Sequence, residues 1–168
     1  MDKKAFKKHV LPVKDKLYRL AFRLLSEMNE AQDAVQEVLL KLWDQRQKLA
    51  EINNIEAWAM RITRNHCLDR LRARKNRVEE LNEQQHQLPV VEPSSIALDR
   101  KEMVKQIRQL MNRLPENQRL VMHLRDIEGY TYKEIMETLD MPENQVKTNL
   151  FRARKKMRAY LLKTVNYG

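Results

Sequence analysis

Two helix starts set eleven residues apart, at Thr131 and Pro142, constrain this chain more than any other feature of it. Thr131 followed by Glu134 forms a capping box: the hydroxyl takes an early helical N–H and the carboxylate reaches back to the cap, so a helix begins there. Tyr132, Ile135 and Leu139 give that helix one apolar face. Asp140-Met141-Pro142 then breaks the pattern, and Pro142 suits the first position of a new helix, where its missing N–H costs nothing. Glu143 favours the positive end of that helix. Val146, Leu150, Ala153 and Met157 follow at i, i+4, i+7 and i+11, a single stripe to pack inward. The opposite face carries Asn144, Thr148, Phe151, Arg152 and Lys155, flanked by Lys147, Arg154, Lys156 and Arg158. Amides, hydroxyls and guanidiniums read base edges, an aromatic ring touches a thymine methyl, and the flanking cations meet phosphates. The stretch from Gly129 to Met157 therefore reads as a helix-turn-helix with a recognition helix. A solvated surface helix is the competing reading, and two caps at this spacing disfavour it.

The chain has 168 residues, enough for one ordinary domain or two small helical ones, and a formal net charge of +10. That charge points to a polyanion, either nucleic acid or an anionic membrane surface. Two glycines, 6% aromatic residues and no sustained alternating runs of β-branched residues predict an all-α protein. Cys67 is the only cysteine, which excludes an internal disulfide and a cysteine-rich zinc site. The start MDKKAFKKHV is basic without a long apolar core behind it, and no apolar run is long enough to span a bilayer, so a cytoplasmic protein is expected.

In chain order, Lys3, Lys4, Lys7 and Lys8 form a basic arm expected to be solvated. Val13, Leu17, Leu20, Ala21, Leu24 and Leu25 then predict a helix over 13–25, with a turn at Met28-Asn29. A second helix is expected from Glu30 to Gln47, burying Ala31, Ala34, Val35, Val38, Leu42 and Trp43. Its outer side holds Asp33, Gln36, Glu37 and Lys41. Asp33 and Glu37 are i, i+4 with Gln36 beside them, an acidic patch in a basic protein. A Glu37–Lys41 intrahelical ion pair and a protein-docking surface both account for it.

Lys48 to Asn54 reads as a loop, with Asn53 or Asn54 able to cap a helix over 55–77. Ile55, Trp58, Ala59 and Ile62 make one apolar face of that helix, while Met60, Cys67, Leu68 and Leu71 lie elsewhere, so it should pack on more than one neighbour. Arg61, Arg64, Arg70, Arg72, Arg74, Lys75 and Arg77 are opposed within it only by Glu56 and Asp69. So lopsided a run argues for phosphate contacts. Trp58 and Asn65 offer stacking and polar contacts to unpaired bases, with a plain core role the alternative for Trp58.

From Val78 to Asp99 there is no Lys or Arg, and Pro89 and Pro93 interrupt any helix, which predicts a flexible linker. Two small helical domains follow, 1–77 and 100–168, joined by 78–99. In the second, Met103, Ile107, Leu110, Met111 and Leu114 mark one helix. Pro115 starts another with Leu120, Val121, Leu124 and Ile127 inward, and Gly129 stops it.

His9, His66, His86 and His123 are scattered with no metal-ligand spacing, and two glycines cannot build a phosphate loop. Cys67 has only His66 beside it, pointing about a hundred degrees away on a helix, so a packed, inert cysteine is expected rather than a catalytic thiol. A binding protein is expected, with no catalytic residues, no cofactor and no metal.

The segments EAQDAVQEVLLKLW (Glu30 to Trp43), AWAMRITRNHCLDRLRARK (Ala57 to Lys75) and LPENQRLVMHLRDIEGYTYKEIMETLDMPENQVKTNLFRARKKM (Leu114 to Met157) together resemble the extracytoplasmic-function sigma factors of bacterial RNA polymerase, in the family's order and spacing. The resemblance implies that residues 1–77 are a sigma-2-like domain whose Asp33, Gln36 and Glu37 dock on the clamp helices of the largest subunit of core RNA polymerase. It implies that the loop from Leu49 to Asn54 and the following helix engage the minus-10 element of promoter DNA around a flipped base. Asn53, Asn54, Trp58 and Asn65 are the candidate base contacts, and Arg61, Arg64, Arg72 and Arg74 the candidate phosphate contacts. The linker would thread along the polymerase. Residues 100–168 would be a sigma-4-like domain reading the minus-35 element through Asn144, Lys147, Thr148, Phe151, Arg152 and Lys155. Many relatives carry a basic residue where this chain has Asn149, which puts any borrowed promoter sequence in doubt. An anti-sigma factor, membrane-bound in one form, is a further implied partner. Two other functions fit the charge: a dimeric helix-turn-helix regulator working without polymerase, and an RNA-binding or ribonuclease-like protein, which would lack any acid/base constellation.

Overall fold

In the computed structural model, residues 1–81 and 100–166 are described, and among them every regular element is helical, with no strand. No helix among them is long and apolar enough to cross a membrane. The chain separates into two compact units, one formed mainly by residues 1–81 and the other by residues 100–136 and 140–166.

The first unit opens with α1 (Lys3–His9), which gives the solvated basic arm a helical backbone. Asp2 caps it by accepting from the Ala5 N–H at 2.7 Å. Phe6 is its one buried anchor and meets Trp43 edge-on at 5.1 Å between ring centroids. The four lysines remain exposed. After a 3-10 turn (Leu11–Val13), α2 (Lys14–Leu25) buries Leu17, Leu20, Ala21, Leu24 and Leu25, the stripe expected from periodicity. Ser26, left-handed at φ 59°, ends it. The turn lies earlier than Met28-Asn29, because Glu27 caps α3 (Met28–Asp44) with its carboxylate, accepting from Asn29 N–H at 3.0 Å and Glu30 N–H at 2.7 Å. Those two donors hold the Glu27 carboxyl below its ordinary pKa.

The inner stripe Ala31, Ala34, Val35, Val38 and Leu42 of α3 is buried, while Trp43 is half-buried. The expected loop from Lys48 to Asn54 is shorter, since Lys48 and Leu49 belong to a turn of helix, α4 (Arg46–Leu49), that buries Leu49. Asn54 then caps α5 (Ile55–Leu81), its Oδ1 accepting from the Ala57 N–H at 3.0 Å. This helix packs on both α2 and α3. Ala57, Ala59 and Thr63 are buried on it together with Met60, Cys67 and Leu68 of the expected second set of apolar residues, whereas Ile55, Trp58 and Ile62 are only half-buried. The expected apolar face is thus rotated. Small Thr63 and Cys67 let α5 approach two neighbours at once, and the Thr63 hydroxyl is satisfied by donating to the Ala59 carbonyl at 2.8 Å. α5 also runs past Arg77 to Leu81; of the expected linker, residues 82–99 lie outside those described.

In the second unit, Leu110 and Met111 of α6 (Arg100–Asn112) join Leu114, Ala153 and Met157 in one core. Met103 and Ile107, expected to be part of the same stripe, are 52% and 36% exposed. α7 (Glu116–Met122) starts one residue after Pro115, which serves as its N-cap. It buries Leu120 and Val121, and a π-helical turn (His123–Ile127) continues it, burying Leu124. The extra residue in that turn shifts the register, so Ile127, expected inward, is exposed. Gly129 ends the segment at φ +73°; nothing lies within 4 Å of where its Cβ would be, so the backbone angle rather than space calls for glycine.

Candidate nucleic-acid interface

The two helices of the motif are α8 (Tyr132–Leu139) and α9 (Glu143–Asn166). Both arms of the expected capping box are present: Thr131 Oγ1 accepts from the Glu134 N–H at 3.2 Å, and Glu134 Oε2 from the Thr131 N–H at 2.7 Å. α8 buries Ile135 and Leu139 and leaves Tyr132 half-buried, then ends at Asp140, left-handed at φ 52°. Asp tolerates that conformation better than most residues. Pro142 stands one position ahead of α9 rather than inside it, and its carbonyl accepts from Gln145 and Val146 at 3.0 and 3.1 Å.

Val146, Leu150, Ala153 and Met157 are all buried, which fixes the rotation of α9 and turns the other face outward. Asn144, Lys147, Thr148, Phe151, Arg152 and Lys155 are exposed there together, Phe151 by 68%. So large an apolar ring left in water is informative, because burying it is worth more than burying most side chains. Among the described residues, Arg152 and Lys155 take no carboxylate partner.

Lys147, Arg125 and Arg154 are tied down. Lys147 pairs with Glu143 at 2.8 Å, which raises its pKa, and sits 5.6 Å from the Tyr132 ring centroid. Arg125 lies 4.9 Å from the same ring and donates to the Tyr130 carbonyl at 2.7 Å. Arg154 grips Asp126 through two nitrogens, at 3.1 and 2.6 Å, and its pKa is raised by that bond. Asn149 turns its amide back on its own helix, donating to the Gln145 carbonyl at 2.8 Å. Tyr132, Lys147, Phe151, Arg154, Lys155 and Arg158 border an open groove of about 510 Å³, an aromatic and cationic trough beside the exposed face. It suits a sugar-phosphate strand.

On the first unit, Asp33, Gln36 and Glu37 are exposed on one side of α3, with Leu40, 64% exposed, next to them. Glu37 does not pair with Lys41. It reaches across to α5, 2.7 Å from Arg70 Nη2 and 2.8 Å from His66 Nε2. Arg74 pairs with Glu30 of α3, and Arg72 with Asp69 at 3.3 Å. Arg64 clasps Asn65 Oδ1 at 3.1 and 3.0 Å. The basic run of α5 is therefore partly a zipper to α3, which sequence spacing within one helix could not reveal. Asn53 is exposed, and Asn54 is committed to its cap through its carbonyl oxygen. Arg61 and Trp58 are half-buried on α5. Burial pushes the Cys67 thiol up to about 12, so it stays protonated and unreactive.

Residues 10–77 match the family model described as sigma-70 region 2, and residues 105–157 the one described as sigma-70, region 4. The RNA polymerase sigma-H factor of Pseudomonas aeruginosa is 30% identical, over 92% of this chain and 84% of its own length. The chain belongs to the extracytoplasmic-function sigma factors of the sigma-70 family. The ECF sigma factor SigE of Mycolicibacterium smegmatis is 32% identical over 89% of this chain, which spans 58% of that relative's length. The fold matches that of a Bartonella quintana sigma factor, RpoE, solved with the anti-sigma factor NepR, at a TM-score of 0.78 and 24% identity over 94% of this chain and 97% of that one. Within this sigma factor the region 2 match ends where the basic run of α5 ends, and the region 4 match contains the whole helix-turn-helix.

Proposed function

We propose that this sigma factor binds core RNA polymerase and directs it to promoters, reading a minus-35 element with α9 and a minus-10 element with the start of α5. One observation supports the reading: an exposed acidic and amide face on α3 and exposed cation-bearing faces on α5 and α9 occur in one chain, on units that match sigma regions 2 and 4. Asp33, Gln36 and Glu37 are its contacts to the clamp helices of the largest subunit. Thr148, Phe151 and Arg152 read base edges at minus-35, with Asn144 at the helix start, while Lys147 and Lys155 hold phosphates. At minus-10, Arg61, Arg64 and Arg72 neutralise phosphates, and Asn53, Trp58 and Asn65 meet bases as they unstack. Arg74 joins them by exchanging Glu30 for phosphate, and Asn54 acts by setting the start of α5. No chemistry is asked of the protein itself; polymerase supplies it, and the sigma factor works in the cytoplasm where polymerase is.

Control by an anti-sigma factor, soluble or membrane-bound, is part of the proposal, supported by the Bartonella neighbour having been solved with one. The test is transcription in vitro with purified core enzyme and genomic templates. Defined start sites that appear only when the protein is added are the expected result. A protein that fails to bind core, or that binds a palindromic site tightly without core, refutes the proposal.

A further inference from the structure

Glu37 lies within the proposed docking face, yet its own helix does not hold it. Both carboxylate oxygens face α5: Oε1 accepts from Arg70 Nη2 at 2.7 Å and Oε2 lies 2.8 Å from His66 Nε2. The His66 side chain is 11% exposed and that of Glu37 50%, so a sheltered ring backs a carboxylate that faces solvent. On its other side, His66 Nδ1 lies 3.0 Å from Lys41 Nζ. An ammonium only donates, so Nδ1 accepts and the ring proton sits on Nε2, facing Glu37. Burial and the Lys41 charge both lower the His66 pKa, in keeping with a neutral ring. The Nε2–H is not aligned on Oε2, so the attraction steers the carboxylate without locking it.

We propose that His66 is a positioning residue for core-polymerase docking: its neutral, Nε2-protonated imidazole, braced by Lys41, holds the Glu37 carboxylate with Arg70 in the orientation that meets the partner. The proposal rests on the reading of α3 as the docking face. A half-exposed glutamate left to itself samples several rotamers and loses that freedom on binding; a carboxylate already oriented loses less. Lys41, at i+4 from Glu37, thus acts on it through the ring rather than by direct pairing.

The test measures the affinity of the full chain for core polymerase, with a melting curve for each variant. His66→Leu keeps bulk and removes both polar contacts, and should weaken binding roughly three- to tenfold. His66→Gln, whose amide carries a donor and an acceptor, should recover most of the loss. In a Glu37→Ala background His66→Leu should cost nothing further, because its effect passes through Glu37. The same loss in that background marks a merely structural histidine and overturns the proposal. So does unchanged affinity of His66→Leu where Glu37→Ala weakens binding, and in that case the docking reading survives. If Glu37→Ala itself leaves affinity intact, the docking reading falls and takes this proposal with it. Should His66→Leu melt below the assay temperature, His66→Asn, long enough to receive Lys41 but too short for Glu37, replaces it against His66→Gln.

Discussion

Truncating Phe151 separates what the recognition helix does for stability from what it does for DNA. The ring is 68% exposed, so about one third of its surface is withdrawn from water. For an aromatic side chain of about 200 Å², at about 25 cal/mol per Å², that third is worth roughly 1.5 kcal/mol at most. Alanine returns about 0.5 kcal/mol through its helix propensity, so Phe151→Ala should cost about 1 kcal/mol of stability or less. On DNA the change is larger in kind: a base-edge contact contributes about 1–3 kcal/mol of discrimination. The expected result is a melting temperature lowered by a few degrees and a promoter affinity of the polymerase-bound sigma factor lowered roughly five- to 150-fold, with the loss concentrated at one or two minus-35 positions. Circular dichroism melts and anisotropy titrations with a panel of single-base promoter variants measure both. If affinity is unchanged, or falls by the same factor on every sequence, Phe151 is not a reader and the argument from its exposure is wrong.

Asp126→Asn should release Arg154 at a cost of about 0.5–1 kcal/mol, discounted because both side chains are partly exposed, and should steepen the salt dependence of DNA binding by about one phosphate contact; titrations between low and moderate salt measure the slope, and an unaltered slope would show that Arg154 already reaches phosphate in the bound state. The depressed Glu27 pKa means that its cap stabilises α3 above the ordinary carboxylate range and is lost as pH falls through the lower folded value, so Glu27→Gln should remove that one share of the acid limb of the stability-pH curve, measured by denaturant melts across acid pH, and an unchanged limb would contradict the cap. Cys67, with its thiol pushed up to about 12, should react with a thiol reagent at neutral pH only in denaturant, and native-state labelling at the denatured rate would contradict its burial.

Elements with one buried stripe were legible from spacing alone. α2, α3 and α9 each face a single core, and in each the 3.6-residue period names the buried residues with few errors. α5 was legible only in part: its packing on more than one neighbour and the burial of Met60, Cys67 and Leu68 away from the Ile55 face follow from spacing, whereas the burial of polar Thr63 and the half-exposure of Ile55, Trp58 and Ile62 do not. α1 escaped notice because Phe6 is its only buried residue and packs on Trp43, 37 positions away. The π turn carries no compositional mark, so an unbroken 3.6-residue period points Ile127 inward. In the site, helix faces were visible while pairings were not: Glu37 with His66 and Arg70, Glu30 with Arg74, and Asp126 with Arg154 join residues on different elements. Periodicity predicts which way a side chain points; only the tertiary fold brings it a partner.

Those pairings bear on how a chain of net charge +10 avoids gripping DNA indiscriminately. In α5, Arg70, Arg72 and Arg74 already hold carboxylates, and in the second unit Lys147 and Arg154 do. Each must trade a carboxylate for a phosphate to contribute to binding, so the gain from counterion release is offset by a lost ion pair. Arg152 and Lys155 make no such trade, and they sit beside the proposed readers Thr148 and Phe151. Non-specific attraction is thereby reduced at those five paired cations. On the proposed reading, either unit alone should bind DNA weakly and specificity should require both to be engaged at once on a single promoter, the arrangement core polymerase would enforce by holding the proposed docking face of α3.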